Sequence, residues 1–247
     1  MFGFRLSVKC VSVVLLAAAV ASGASAEAQS TRRTRRESNA NRKARIARTI
    51  EATYSHRFEV AGGGGYLRFR SGEYLQKNDE VTFFMSGTYF LNQKLGIIGE
   101  VRGLYGNAKI GNTGSNTSTP ANFLPFNPQI SEYPFMGGVA YRLYAKEKIA
   151  LSVTGEGGAA IGKFDGDTKG LPSSALGLWQ STTKPVFSIG ANLDYNFYPD
   201  LALRISPTYV GTFYKLDPLD PAPNPHGSIQ NNVGLNIGIV YRFGHIK

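Results

Sequence analysis

The sequence predicts an all-β protein, an eight-stranded antiparallel up-and-down transmembrane β-barrel. Three observations lead to this fold class. Apolar residues alternate with small or polar ones, short and long connections follow one another in turn, and the less apolar face is poor in lysine. Together these features are typical of strands with one face on lipid and the other on a narrow lumen.

The alternation begins at Arg57 and continues almost to the carboxyl terminus. In the last segment, Val233 to Phe243 place a large apolar side chain at every second position. Successive side chains of a strand point to opposite faces, so this pattern separates an apolar face from a polar one. The predicted strands, eight in all, are residues 57–70, 80–91, 95–110, 131–144, 149–163, 184–197, 201–214 and 231–243.

The connections between these strands predict the direction of the barrel. Tight turns at 92–94, 145–148 and 198–200 alternate with long segments rich in Gly, Ser, Thr, Asn and Pro. Barrels of the bacterial outer membrane place their short turns in the periplasm and their long loops outside. The first connection is long, so the first strand is expected to start on the periplasmic side.

Residues 1–26 have the features of a secretory signal peptide. Arg5 and Lys9 precede an apolar run from Val11 to Val20, and Ala26 ends an A-x-A-like cleavage site. Cys10 is the single cysteine and lies in this leader, so no disulfide is expected after export. The barrel is assigned to residues 57–247.

Residues 27–56 form a basic arm, expected in the periplasm. Residues 1–50 hold ten Lys and Arg against two acids, so most of the +10 net charge belongs to the leader and this arm. The arm is either a solvated, disordered segment or a short helix over 38–52 that contacts an anionic membrane surface or envelope polymer. Nucleic acid is not an expected partner of an exported arm without interleaved aromatic residues.

A network of paired charges is predicted inside the lumen. Unpaired charge is costly in a narrow, weakly hydrated interior, so acids and arginines are expected in equal number, with Arg242 meeting Glu59 or Asp194. The alternative is a set of unrelated surface charges. The predicted members are Glu59, Glu100, Arg102, Arg142, Glu156, Asp194, Arg204 and Arg242.

Outward aromatic residues predict two girdles at the membrane interfaces. The register of the first strand stays open, because the Gly62–Gly65 run permits a kink that leaves either Leu67 or Arg68 facing outward. The girdle residues are Tyr89, Tyr141, Tyr195 and Tyr241 near the short turns, and Phe83, Tyr105, Tyr133, Phe135, Phe187, Tyr209 and Phe213 near the long loops.

Two further features bear on function. Small lumen residues such as Gly138, Ser188 and Gly234 predict a narrow, water-bearing cavity. Apolar residues in the long loops either pack together as a lid or form a contact surface for a ligand. The loop contact candidates are Phe123, Phe126 and Trp179.

No catalytic, cofactor or metal site is predicted. Gly155–Ala160 matches the dinucleotide pattern G-x-G-x-x-A, but it lies in mid-strand without a following helix. The histidines His56, His226 and His245 are scattered and lack metal-ligand spacing.

The sequence resembles the eight-stranded bacterial outer-membrane barrels of the outer-membrane protein A transmembrane-domain and OmpX-like type. The features that carry this resemblance are the leader, the alternating segments, the turns NQK, AKEK and YPD, and the closing GIVYRF. The resemblance covers residues 57–243. It implies a barrel surrounded by lipid bilayer and lipopolysaccharide, whose last strand is read by the barrel assembly machinery. Two departures are the extra GHIK after Phe243 and the lack of a periplasmic peptidoglycan-binding domain after the barrel.

These features leave three functions open. The first is a non-enzymatic structural or surface-interaction role through the long loops. The second is a narrow porin-like channel for small solutes or hydrophobic compounds. The third is a lipid A-modifying enzyme, since some barrels of this kind carry Ser and His at the rim, and His226 and Ser228 are the candidates here.

Overall fold

The computed structural model describes residues 38–72, 75–110, 127–216 and 229–246. By its internal contacts the chain divides into residues 1–43 and residues 44–247, and the second unit contains the barrel. None of the described helices is long and apolar enough to cross a membrane. The elements are α1 (Asn39–Tyr54), β1 (Phe58–Arg70), β2 (Lys77–Phe90), β3 (Leu95–Asn107), β4 (Gln129–Ala145), β5 (Ile149–Gly166), a 3-10 helix (Ser173–Leu176), β6 (Thr182–Asn196), β7 (Leu201–Thr212) and β8 (Gln230–Phe243).

The strands close into an antiparallel barrel in which each strand pairs with its neighbours in sequence. β8 returns to β1, from Phe243 opposite Phe58 to Val233 opposite Arg68. Closure is required in lipid, where an unpaired strand edge has no water to bind. The predicted fold class is confirmed, and every strand boundary lies within three residues of its predicted position.

The glycine run of β1 does not disturb strand pairing. Gly62 to Gly65 pair without interruption with both β2 and β8. Leu67 is buried in the lumen and Arg68 faces outward, which decides the register left open by the sequence. The irregularities lie between β4 and β5 instead, where the register shifts near both ends of β4.

Glycine is required where β1 and β8 approach closely on the lumen side. A Cβ atom at Gly63 would overlap the backbone of Ile237, and one at Gly65 would overlap the backbone of Leu235. No L-residue with a side chain fits these two positions without separating the strands. The seam that closes the barrel therefore depends on the glycine run.

The outer face carries the predicted aromatic residues. All the predicted girdle residues point away from the lumen. Phe58 packs against Tyr89 and Phe243 near the short turns, with ring centroids 5.3 Å apart in each pair. Near the long loops, the Phe83 ring lies over Gly103 and covers the glycine backbone.

α1 begins where the sequence offers a capping residue. The hydroxyl of Ser38 accepts a hydrogen bond from the backbone N–H of Asn41 at 3.3 Å, which satisfies one donor of the first turn. Within the described part of the arm, the predicted helix is thus confirmed and the disordered alternative is wrong. Its contact with an anionic surface or polymer stays a prediction. Later in the helix, Ile46 and Ile50 are half-buried, whereas Arg45 and Arg48 are exposed.

Candidate functional site

A dense ion network lies in the lumen at the short-turn end; we name it the basal network (Glu59, Asp194, Arg142, Arg204 and Arg242). Arg204 donates to Asp194 at 2.7 and 2.8 Å and to Glu59 at 2.5 Å. Arg242 donates to Glu59 at 2.9 Å and to Asp194 at 2.8 Å. The predicted contact of Arg242 is confirmed with both carboxylates.

Strand register brings these side chains together. Glu59 of β1 lies opposite Arg242 of β8, and Asp194 of β6 lies opposite Arg204 of β7. All four point inward because they occupy lumen positions of the alternating pattern. Arg142 joins from β4, with its Nη2 atom 3.7 Å from Glu59 and its Nη1 atom donating to the carbonyl of Gln93 at 2.7 Å.

The other predicted charges form a separate group in the middle of the lumen. Arg102 donates to Glu100, and its guanidinium also reaches Ser188 at 3.3 Å and Thr208 at 3.4 Å. Glu156 is buried in the same region, with one oxygen that has no hydrogen-bond partner. All eight predicted lumen charges are buried, but they divide into two groups rather than forming one network.

The expected balance of four acids and four arginines is wrong. Glu80 and Glu132 are also buried inside the barrel, so six carboxylates face four arginines among the described residues. Both glutamates lie near the long-loop ends of their strands. Near a loop, polar side chains occur both inside the lumen and in solvent, so the alternation pattern does not distinguish the two. For this reason the sequence did not identify Glu80 and Glu132 as lumen residues.

Among the described residues, the lumen is closely packed with side chains. The cavity beside Glu100, Arg102 and Glu156 has a volume of about 10 Å³, which is room for about one water molecule. The space found here is thus much smaller than the continuous cavity that the small residues predict. Neighbouring groups take the space that the small residues leave. A Cβ atom at Gly238 would lie 2.5 Å from the backbone oxygen of Gly62 and 2.8 Å from the ring of Phe84.

Buried apolar residues close the long-loop end; we name them the apolar plug. Trp179, which follows the 3-10 helix, is 4% exposed, and its indole N–H donates to the carbonyl of Arg70 at 2.6 Å. The lid interpretation is confirmed for the third loop. The plug contains Leu67, Phe69, Leu75, Leu104, Ala108, Ile110, Ile130, Met136, Ala160, Phe164, Leu176, Leu178, Trp179, Val186, Val210 and Tyr214.

Trp179 is therefore not a contact residue, because its ring is buried in the plug and not presented to solvent. Phe123 and Phe126, the other loop candidates, lie outside the described residues, as do His226 and Ser228.

Tyr54, at the end of α1, closes the short-turn end. Its hydroxyl donates to the carbonyl of Lys146 at 2.7 Å and accepts from the amide of Asn196 at 2.9 Å. Asn196 in turn accepts from Arg242 at 2.9 Å, which links the helix to the basal network. Burial raises the pKa of Tyr54, so the hydroxyl keeps the proton that it donates at neutral pH.

The extra carboxyl-terminal residues have a structural role. The backbone of Ile246 donates to Ser55 at 2.7 Å, and that of Arg57 donates to Gly244 at 3.2 Å. The ring of His245 lies 5.4 Å from that of His56. The tail thus pairs with the segment that joins α1 to β1 and holds it at the barrel rim.

The sequence also matches a known family. The family model described as outer membrane protein beta-barrel domain matches residues 13–243. The chain belongs to this family. It is accordingly an outer-membrane β-barrel, and its apolar outer face is the lipid-facing one. A comparison with curated protein sequences finds no match.

Solved outer-membrane barrels are similar to this one. Neisserial surface protein A is 11% identical, with a TM-score of 0.49 over 75% of this chain and 97% of that one. OprG of Pseudomonas aeruginosa is 12% identical, with a TM-score of 0.47 over 78% and 98% of the two chains. Ail of Yersinia pestis is 19% identical, with a TM-score of 0.41 over 76% and 99%.

Proposed function

We propose that this protein is a non-enzymatic outer-membrane barrel with a structural or surface-interaction role, in which the long loops face outward and α1 lies in the periplasm. In this orientation the barrel contacts lipid and lipopolysaccharide, and β8 is the strand that the barrel assembly machinery reads. The observation that carries the proposal is the filled lumen. The basal network, the Glu100–Arg102 layer and the apolar plug occupy three successive levels.

Electrical silence in a planar bilayer is the expected result for the folded protein. A barrel whose interior is packed with side chains offers no continuous water path for ions. Single-channel recording at high salt checks this, with a known porin as positive control and heat-unfolded protein as negative control. Regular conductance steps from the folded protein that vanish after unfolding would instead support the narrow-channel alternative.

The exposed basic face of α1 supports a second contact, with an anionic envelope polymer. The side chain of Arg45 is 58% exposed and lies 4.0 Å from Glu147, and Arg48 is exposed one turn later. Tyr54 holds this part of the helix at the barrel rim. Fixed cations attract a polyanion more strongly than a freely moving tail does, because less entropy is lost on binding.

Co-sedimentation with purified peptidoglycan sacculi tests this contact. The double variant Arg45→Glu/Arg48→Glu is expected to reduce the sedimented fraction several-fold at low salt, and added salt is expected to reduce it for the unchanged protein. Lys109→Glu/Lys163→Glu, at the long-loop end, makes the same change in net charge and is the matched control. Equal loss in both variants would contradict a specific role for α1.

A further inference from the structure

A groove lies between α1 and the short-turn rim of the barrel. Its volume is about 460 Å³, which is within the range of sites that bind small ligands. The helix residues that line it are spaced at i, i+3, i+4 and i+7 and so share one face of α1. Arg45 and Arg48 are not among them, so the groove is separate from the basic face of the helix. The lining residues of α1 are Ala47, Ile50, Glu51 and Tyr54.

Direct contacts hold the barrel side of the groove in place. The guanidinium of Arg142 donates to the carbonyl of Gln93 at 2.7 Å, and the backbone N–H of Arg142 donates to the carbonyl of Lys94 at 2.7 Å. The same guanidinium lies 4.7 Å from the ring centroid of Tyr54 and 4.2 Å from that of Phe90. These walls are already formed, so a ligand does not have to order them on binding.

A β-bulge at the end of β4 opens the groove toward the lipid-facing surface. The register between β4 and β5 shifts between Arg142 and Tyr144, so Leu143 is the extra residue of β4. Bulges of this kind redirect a side chain. Leu143 lines the groove, is 56% exposed and is the next outward position after the girdle residue Tyr141. The groove is therefore continuous with the outer face that contacts the bilayer.

Two opposite charges line this groove beside its apolar wall. Glu51 belongs to α1 and Lys94 to the turn between β2 and β3, and both side chains are exposed. Within the described part of the chain, neither pairs with another charged side chain, and they do not pair with each other. An acid, a base and an apolar surface in one groove are complementary to an amphiphile whose headgroup carries both a cation and an anion.

We propose that the groove binds one zwitterionic phospholipid of the periplasmic leaflet, of the phosphatidylethanolamine type. Its ammonium group meets Glu51, its phosphate meets Lys94, and the start of one acyl chain lies against Leu143. The rest of both chains stays in the bilayer. The choice of leaflet rests on the proposed function, which places α1 in the periplasm, whereas the headgroup chemistry follows from the groove itself. A lipid bound here contacts α1 and β4 together and so stabilises the helix at the rim.

Native mass spectrometry tests this lipid site. The full chain, folded in a mild detergent, is mixed with phosphatidylethanolamine or with phosphatidylglycerol that carries the same acyl chains. We expect one phosphatidylethanolamine molecule to stay bound to each protein. Phosphatidylglycerol is expected to be retained several-fold less, because its headgroup has no cation to meet Glu51.

Variants of the groove are expected to change lipid retention in different ways. Glu51→Lys reverses the preference, so that phosphatidylglycerol is retained better than phosphatidylethanolamine. Lys94→Glu reduces retention of both lipids several-fold, since both carry a phosphate, and Ala47→Trp abolishes retention of both by filling the groove without a change in charge. Lys148→Glu makes the same charge change as Lys94→Glu at an exposed position of another short turn, outside the groove. It is the matched control and is expected to bind lipid like the unchanged protein.

The lipid proposal would be overturned if the unchanged protein retained detergent alone, or a second protein copy in place of lipid. Equal loss in the Lys148→Glu control, or an unchanged lipid preference in Glu51→Lys, would also overturn it. Trypsin added to intact cells tests the orientation separately. Cleavage after Arg45 or Arg48 would place α1 outside the cell and contradict the proposed function, whereas an uncut helix together with a lack of retained lipid would overturn the lipid proposal alone.

Discussion

Replacing Gly63 by alanine is expected to destabilise the barrel by about 3 kcal/mol or more, because the new methyl group has no space to occupy. Its Cβ would overlap the backbone of Ile237 in β8. Backbone does not rotate away as a side chain does, so β1 and β8 must separate. Their ladder is the one that closes the barrel, and its loss exposes unpaired backbone groups to lipid.

Gly62→Ala is the matched control for this prediction. Gly62 is adjacent in β1 but faces outward, and a Cβ there meets only the carbonyl oxygen of Phe84, at 3.6 Å. Its stability is expected to change by no more than about 0.5 kcal/mol. Electrophoretic mobility before and after boiling reports closure, and urea titration in lipid vesicles reports stability. Equal stability of the two variants would show that β1 and β8 do not approach as closely as described.

Arg204→Met is expected to cost about 3–5 kcal/mol, because it leaves buried carboxylates without their main partner. Arg204 donates three hydrogen bonds of 2.5 to 2.8 Å to Glu59 and Asp194. Methionine preserves most of the side-chain volume, so the loss reports charge pairing rather than a cavity. The fluorescence of Trp179, the single tryptophan, follows unfolding in urea.

A double-mutant cycle separates this pairing from general damage. Asp194→Asn in the Arg204→Met background removes one of the stranded charges, so the double variant is expected to lose less stability than the two single variants together. Arg48→Met, on the exposed face of α1, controls for loss of an arginine and is expected to stay within about 0.5 kcal/mol. A strictly additive cycle would contradict direct coupling between Arg204 and Asp194.

The lumen shows how far the sequence alone could go. Glu59, Asp194, Arg204 and Arg242 were identified from alternation because each occupies a lumen position between apolar outward residues. Tyr54 was not identified, since it ends a helix outside the alternating pattern and contacts Asn196, which lies 142 residues later in the chain. Contacts over such separations are set by strand order and register, which local patterns do not specify.

The sequence by itself determined the number of strands, their faces, the aromatic rows and the inward charges. When apolar side chains repeat every second residue in a strand beside lipid, only one face can point inward. Whether the lumen is open was decided by tertiary structure. Small residues such as Gly238 predict empty space along one strand, but the backbone of Gly62 in β1 and the ring of Phe84 in β2 fill it. Likewise, only the closed barrel shows that Glu80 and Glu132 are buried inside it. Alternation gives the direction of a side chain, whereas packing depends on what the other strands place in the same volume.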